Sequence, residues 1–283
     1  MFVTSRSRRK TLWLIVLTLT VVCIRGATAQ TIDVSDGESD PVKLFERGQN
    51  AHAKGDLERA LAYYEEAIKL RPEFPEAEFQ RGIALGALKR PAEAEIAFRR
   101  AIELRKDWPL PYSALGCLLG SSNKDKEAEP LLRRAVQLGA SDFTTLYWLS
   151  TVRWRAGDKQ EALALAQRAT EDENASASVW AWRGMLERTL GNSNSIASLE
   201  HALQIDPKNV VALKERAEVR ISGRSYQQAI DDLKTALSIT GSNRDLSLRL
   251  AQVYELAGKK DEAQRIYQGL GAVVAARDPG WNR

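Results

Sequence analysis

Few side chains in this 283-residue chain are equipped for covalent chemistry, and those few are scattered. The two histidines, His52 and His201, stand far apart, and the cysteines are Cys23 and Cys117 alone, so no His/Cys cluster has metal-ligand spacing. No glycine-rich phosphate loop, nucleophile elbow or zinc-protease signature is present. Carboxylates come as neighbours such as Glu65-Glu66 and Asp231-Asp232, and adjacent acids on a helix usually face water. The expectation is a protein without intrinsic catalysis, without metal and without cofactor. Recognition chemistry, by contrast, is concentrated. Tyr147, Trp148, Trp154 and Arg155 are followed by Trp182, Met185 and Arg188. Trp and Arg dominate binding hot spots, Met is adaptable, and a guanidinium grips carboxylates or backbone carbonyls.

The elements that carry these residues are repeated. Alanine recurs at 60, 94, 128 and 162 and glycine at 48, 82, 116 and 184, spaced by 34 residues or a multiple of it. A single globular core has no reason to produce that period, so the chain is a repeat array. The first unit, residues 41–74, reads Leu44, Gly48, Ala51, Gly55-Asp56, Ala60, Tyr64, Ala67 and Pro72. Two amphipathic stretches flank a Gly-Asp break, which makes the unit a helix hairpin. Gly48 and Ala60 place small residues where the two helices approach most closely.

These residues resemble the tetratricopeptide repeat, a 34-residue helix-turn-helix with small residues at its eighth, twentieth and twenty-seventh positions and a bulky one at its twenty-fourth. Unit two supplies Gly82, Ala94, Phe98 and Ala101, and unit three Gly116, Ala128, Leu132 and Ala135. Unit four has Leu146, Leu149, Gly157-Asp158, Ala162 and Ala169. Unit five has Trp180, Gly184, Leu199 and Ala202, with one residue missing between Gly184 and Ala202. Units six and seven carry Leu213, Ala217, Ala229, Leu233 and Ala236, then Leu250, Ala251, Tyr254, Gly258-Lys259, Ala263 and Tyr267. About seven units cover residues 41–276. Two departures stand out: Pro130 in the second helix of unit three, which removes a donor or bends the helix unless it lies in the first four residues, and the turn formers at 191–195, which imply an altered inter-helix turn.

The resemblance implies an all-α, right-handed superhelical solenoid of antiparallel helix hairpins, with the first helix of each pair lining the concave side. At about 100° per residue, the second, fifth, sixth, ninth, twelfth and thirteenth positions of that helix share one face. Tyr147, Trp148, Trp154, Arg155, Trp182, Met185 and Arg188 fall on it, and Phe45, Phe79 and Ile83 extend the groove into units one and two. Trp180 holds the fourth position, where the family has a core Trp, whereas Trp148, Trp154 and Trp182 hold no core position. The acidic-tail clamp of some members needs Lys and Asn at the fifth and ninth positions. Phe45 with Gln49, and Phe79 with Ile83, stand there instead. The expected partner is therefore a protein or peptide segment held mainly by apolar contacts, and the function a non-catalytic interaction scaffold. The alternatives are a small-ligand or glycan module stacking on the groove tryptophans, and an accessory subunit of a separate envelope enzyme.

The ends read separately. Arg6, Arg8, Arg9 and Lys10 precede an apolar run at 12–24 and then Ala27-Thr28-Ala29, the pattern of a secretory signal peptide cleaved before Gln30. The run is shorter than the ~20 residues that cross a bilayer, so no membrane span is expected in the mature form, and a signal anchor results if cleavage fails. The expected location is the periplasm, the cell envelope or the medium. The whole chain has 41 basic and 37 acidic residues; residues 1–29 hold five of the basic and none of the acidic, leaving 36 against 37. A nearly neutral mature protein gives no footprint for nucleic acid. Residues 30–40 read as a disordered acidic linker, and 277–283 as a C-terminal tail containing Trp281. Leu270, Val273 and Val274 on the last helix are either covered by Trp281 or form a docking edge for self-association.

Overall fold

The computed structural model describes residues 39–277, with side chains as far as residue 271. The leader read as a signal peptide, nearly all of the segment read as a linker and Trp281 lie outside the described residues, as do the side chains of Val273 and Val274. Fourteen α-helices and no strand occur among the described residues. They fall into two compact units that divide after Leu104. The first holds α1 (Pro41–Ala53), α2 (Leu57–Leu70), α3 (Pro75–Ala87) and α4 (Pro91–Leu104). The second holds α5 (Pro109–Ser121), α6 (Asp125–Gln137), α7 (Phe143–Arg155), α8 (Lys159–Ala169), α9 (Ala177–Thr189), α10 (Ser195–Ile205), α11 (Val210–Ser222), α12 (Tyr226–Thr240), α13 (Arg244–Leu256) and α14 (Lys260–Arg277). In each unit an odd-numbered helix pairs with the even-numbered helix after it, and that second helix packs on the next hairpin of the unit.

Local chemistry sets the helix ends. Asp40, Asp56, Asp142, Asp158, Asn209 and Asn243 accept a backbone N–H of the first turn with their side chains, which is the preferred N-cap chemistry. Pro41, Pro75 and Pro109 open their helices, where the missing N–H costs nothing. The first helix of every hairpin ends in the same way. The second residue beyond it is left-handed: Gly55, Lys89, Asn123, Gly157, Gly191, Arg224 and Gly258, with φ between 58° and 92°. The next N–H reaches back five residues, as from Asp56 to Ala51 O at 3.0 Å, Arg90 to Leu85 O at 2.9 Å and Ser225 to Arg220 O at 2.8 Å. This Schellman closure satisfies carbonyls that the helix end leaves open.

Four of the hairpins close on a glycine beneath a large residue. A Cβ added at Gly48 would lie 2.5 Å from the Tyr64 ring, at Gly82 2.5 Å from Phe98, at Gly116 2.6 Å from Leu132 and at Gly184 2.6 Å from Leu199. Ala60, Ala94, Ala128, Ala162 and Ala229 are fully buried along the second helices. In repeat five the contact survives the missing residue because the turn absorbs it. Residues 190–194 link α9 to α10, which starts late and runs 11 residues, with Asn192 Oδ1 accepting Asn194 N–H at 2.9 Å. Pro130 is the sixth residue of α6, past the first four, yet the helix runs unbroken from Asp125 to Gln137 with one donor fewer.

Tyr64 is fully buried and its hydroxyl has no hydrogen-bond partner in the protein; burial pushes its pKa up to about 12. Repeat two holds Phe98 at the equivalent place. Tyr64→Phe is therefore expected to raise stability by about 1 kcal/mol, because it removes a desolvated, unpaired hydroxyl, and a lower thermal midpoint would contradict this. Lys89→Gly and Arg224→Gly should each gain about 0.5–1 kcal/mol by relieving a left-handed Cβ, less the glycine entropy. Denaturant titration of the two variants measures it, and a loss at both would show that their side chains hold the turn.

Candidate functional site

Tyr147, Trp148, Trp154, Trp180 and Trp182 lie in the second unit, on α7 and α9. Asp142 caps α7 by accepting Thr145 N–H at 3.0 Å and the Thr145 hydroxyl at 2.6 Å, which fixes the first turn before Tyr147 and Trp148. The rings then run as a row of edge-to-face pairs. Tyr147 and Trp148 have centroids 5.4 Å apart at 74°, Tyr147 and Trp182 6.0 Å at 75°, and Trp154 and Trp182 6.2 Å at 83°. All four are half-buried, as is Met185. Such T-shaped pairs suit the aromatic quadrupole and contribute about 0.5–1.5 kcal/mol each beyond their burial.

Their burial comes from packing within and across repeats. Trp148 lies against Gly120 of the preceding repeat, where a Cβ would stand 3.2 Å from the indole. Trp154, Trp182 and Met185 pack on Ala162, Leu163, Ala166 and Leu186. The Trp182 indole N–H donates to Ser150 Oγ at 2.8 Å, and Ser150 donates in turn to Ala162 O at 2.7 Å. The Lys159 ammonium sits 5.7 Å from the centre of a Trp154 ring. Trp180 is half-buried, 4.1 Å from the His201 ring and beneath the Arg183 guanidinium.

The two arginines are already engaged. Arg155 donates to Gly120 O and to Asp125, both at 3.0 Å, and Arg188 donates to the buried Glu215 at 2.8 Å. Each is positioned by an acid about a repeat away, so a carboxylate from a partner would have to compete with one inside the chain. In the first unit Phe45 packs near Tyr64 and Phe74, at 5.8 and 5.1 Å, and Phe79 near Phe98 at 5.9 Å; Ile83 is half-buried. Leu270 is half-buried on α14. Cys117 is a free thiol whose pKa burial pushes up to about 12, which disfavours the reactive thiolate. No group of three or more His, Cys, Asp or Glu is set to hold a metal among the described residues, and no helix there is long and apolar enough to cross a membrane.

Charged side chains join repeats three and four elsewhere. Arg133 binds Glu129 and Glu161 at 3.0 and 2.9 Å, and Arg153 binds Glu129, Asp158 and Glu161 at 2.8, 2.8 and 2.5 Å. Hydrogen bonds from Arg133, then Arg153, hold Glu161 below its ordinary value, and Arg153 does the same for Asp158.

Sequence reading did not single out Ser150, Ala166, Gly120 and Glu215. The signal for the first two was present: position 150 is where the glycine series skips, and 166 is where the bulky series does. Gly120 and Glu215 gain meaning only from neighbours in other repeats.

Comparison with known proteins agrees with this architecture. Family models described as tetratricopeptide repeat match residues 45–111, 113–193 and 221–281. Superkiller complex protein 3 of Mus musculus is 28% identical over 114 residues, which is 39% of this chain and 7% of that one. The match thus spans a small part of that relative. Among solved structures, the APC/C hetero-tetramer Cut9-Hcn1 aligns with a TM-score of 0.65 and 21% identity over 76% of this chain and 43% of that one. YrrB, a TPR protein with an unusual peptide-binding site, aligns with a TM-score of 0.52 and 24% identity over 62% of this chain and 91% of its own.

An acid whose pKa is lowered on folding contributes stability that is full above its unfolded value and is lost as pH falls through the folded one. The thermal midpoint should therefore drop on acidification below about pH 4.5, the ordinary Glu value. Glu161→Gln should lower the midpoint at neutral pH and flatten that acid limb. Parallel limbs for the two proteins would show that the cluster is not what acid disrupts.

Proposed function

Because this chain belongs to the tetratricopeptide repeat family, we propose that it acts as a non-catalytic scaffold holding a protein segment against the first-helix face of repeats four and five. The observation that carries the reading is the continuous row of half-buried rings from Trp148 through Tyr147 and Trp182 to Trp154. Half-buried apolar rings keep part of their surface in water, and a segment laid across them removes it at roughly 25 cal/mol per Å². The rings are anchored by core packing, so little side-chain entropy is lost when a partner docks. Met185 beside them adapts to the partner's shape. The peptide-binding site of YrrB, a neighbour of the same repeat type, supports the same use of the fold here.

The chemistry of the partner follows from the charges. Arg155 and Arg188 are neutralised by Asp125 and Glu215, so the surface selects an apolar or aromatic segment over an acidic tail. Edge-to-face packing also sets the edge of one ring against the face of the next. That leaves less of the open face on which a sugar would stack.

The test is affinity capture from an envelope extract, the compartment the leader segment implies, with the chain starting at Gln30. Wild type is compared with a Tyr147→Ser/Met185→Ser variant, which leaves every tryptophan in place. The variant is expected to keep its helical circular dichroism and retain at most a tenth of the captured species, equivalent to about 1.4 kcal/mol. A folded variant with an undiminished catch would reject this face as the binding surface.

A further inference from the structure

Six of the seven hairpins put a bulky residue at the twenty-fourth position: Tyr64, Phe98, Leu132, Leu199, Leu233 and Tyr267. Four of these sit directly over a glycine of the first helix. Repeat four breaks both halves of the rule, with Ser150 in place of the glycine and Ala166 in place of the bulky residue. Both are fully buried. A serine over an alanine leaves space at the centre of the hairpin and puts a hydroxyl in it.

The next repeat packs against this place. Trp182, from α9, packs on the cluster containing Ala162, Leu163 and Ala166. Its indole N–H, which can only donate, meets Ser150 Oγ at 2.8 Å, and the same hydroxyl donates to Ala162 O at 2.7 Å. The serine thus has a partner for both of its roles, and the tryptophan has its acceptor. Within this unit α5 packs closely on α7 and α9 on α11, whereas α7 and α9 meet through these side chains.

We propose that Trp182 is the missing plug of repeat four, latched by Ser150, so that repeats four and five fold as one obligate module and Trp182 is the positioning residue for Tyr147 and Trp154. This rests on the binding reading only for the role of those two rings; the plug stands without it. In a repeat array, stability is a sum of repeat and neighbour terms. Here a term that is internal elsewhere has moved to the interface between neighbours. Trp182 touches both Tyr147 and Trp154 edge-on, so the plug also fixes the rings that flank it.

The decisive experiment is a mutant cycle read by thermal unfolding, which needs no partner and so stands or falls apart from the binding reading. Trp182→Ala should lower the midpoint of the second unit by roughly 6–12 °C. Ser150→Gly/Ala166→Leu rebuilds the internal plug of repeat three. In the Trp182→Ala background this pair should restore most of the loss, and in the wild-type background it should lower the midpoint, because the space is already full. The same sign in both backgrounds would overturn the proposal. If Trp182→Ala does not fold, hydrogen exchange of the indole protons in the otherwise wild-type chain decides. Trp182 should exchange at least tenfold more slowly than Trp154 and lose that protection in Ser150→Ala. Equal rates for the two tryptophans in the wild type would reject the latch.

Discussion

The close approach of two helices in each hairpin governs the rest of the molecule. With 2.5–2.6 Å between a hypothetical Cβ and the residue above it, there is no room for a side chain at Gly48, Gly82, Gly116 or Gly184. Interiors pack like organic crystals, so this single contact determines how near the two helices lie. Buried alanines along the second helices continue the same seam. A period of 34 residues is the sequence record of one contact made again and again.

Repeat four shows what happens when that contact is given up. Ser150 and Ala166 leave a polar space that the repeat cannot fill by itself, and a tryptophan from the next repeat enters it. Trp182, which both fills a core and reaches across repeats, is only half-buried. The result is a row of half-covered aromatic edges on two first helices. The recognition surface proposed for this chain is thus a by-product of an exception in its core. Arg155 and Arg188 are drawn into the same logic, each held by an acid of a neighbouring repeat, which leaves apolar contact as the main currency of the face.

Legibility in the sequence follows the range of each interaction. Hairpins were readable because their core residues recur at fixed spacing. The turns at Gly55, Gly157 and Gly258 announce themselves, whereas those at Lys89, Asn123 and Arg224 adopt the same left-handed geometry without a glycine. At Lys89 and Arg224 the Schellman hydrogen bonds, not residue preference, hold the backbone, whereas Asn123 tolerates that geometry itself. Trp148, Trp154 and Trp182 fall outside the core positions of a single repeat, and Trp148 and Trp182 find their packing partners across a repeat boundary. A pattern defined within one unit carries no signal for a contact made with the next.

Helix periodicity, capping residues and small residues where helices touch all act within about one unit of chain, so the repeated element is written in the residues themselves. Which side chains cross from one repeat to another, as Trp182 to Ser150, Trp148 to Gly120 and Arg188 to Glu215, is settled by the folded arrangement. The physical reason is that local sequence fixes backbone direction over a few residues. A donor and an acceptor some thirty residues apart meet only when stacked hairpins bring them together.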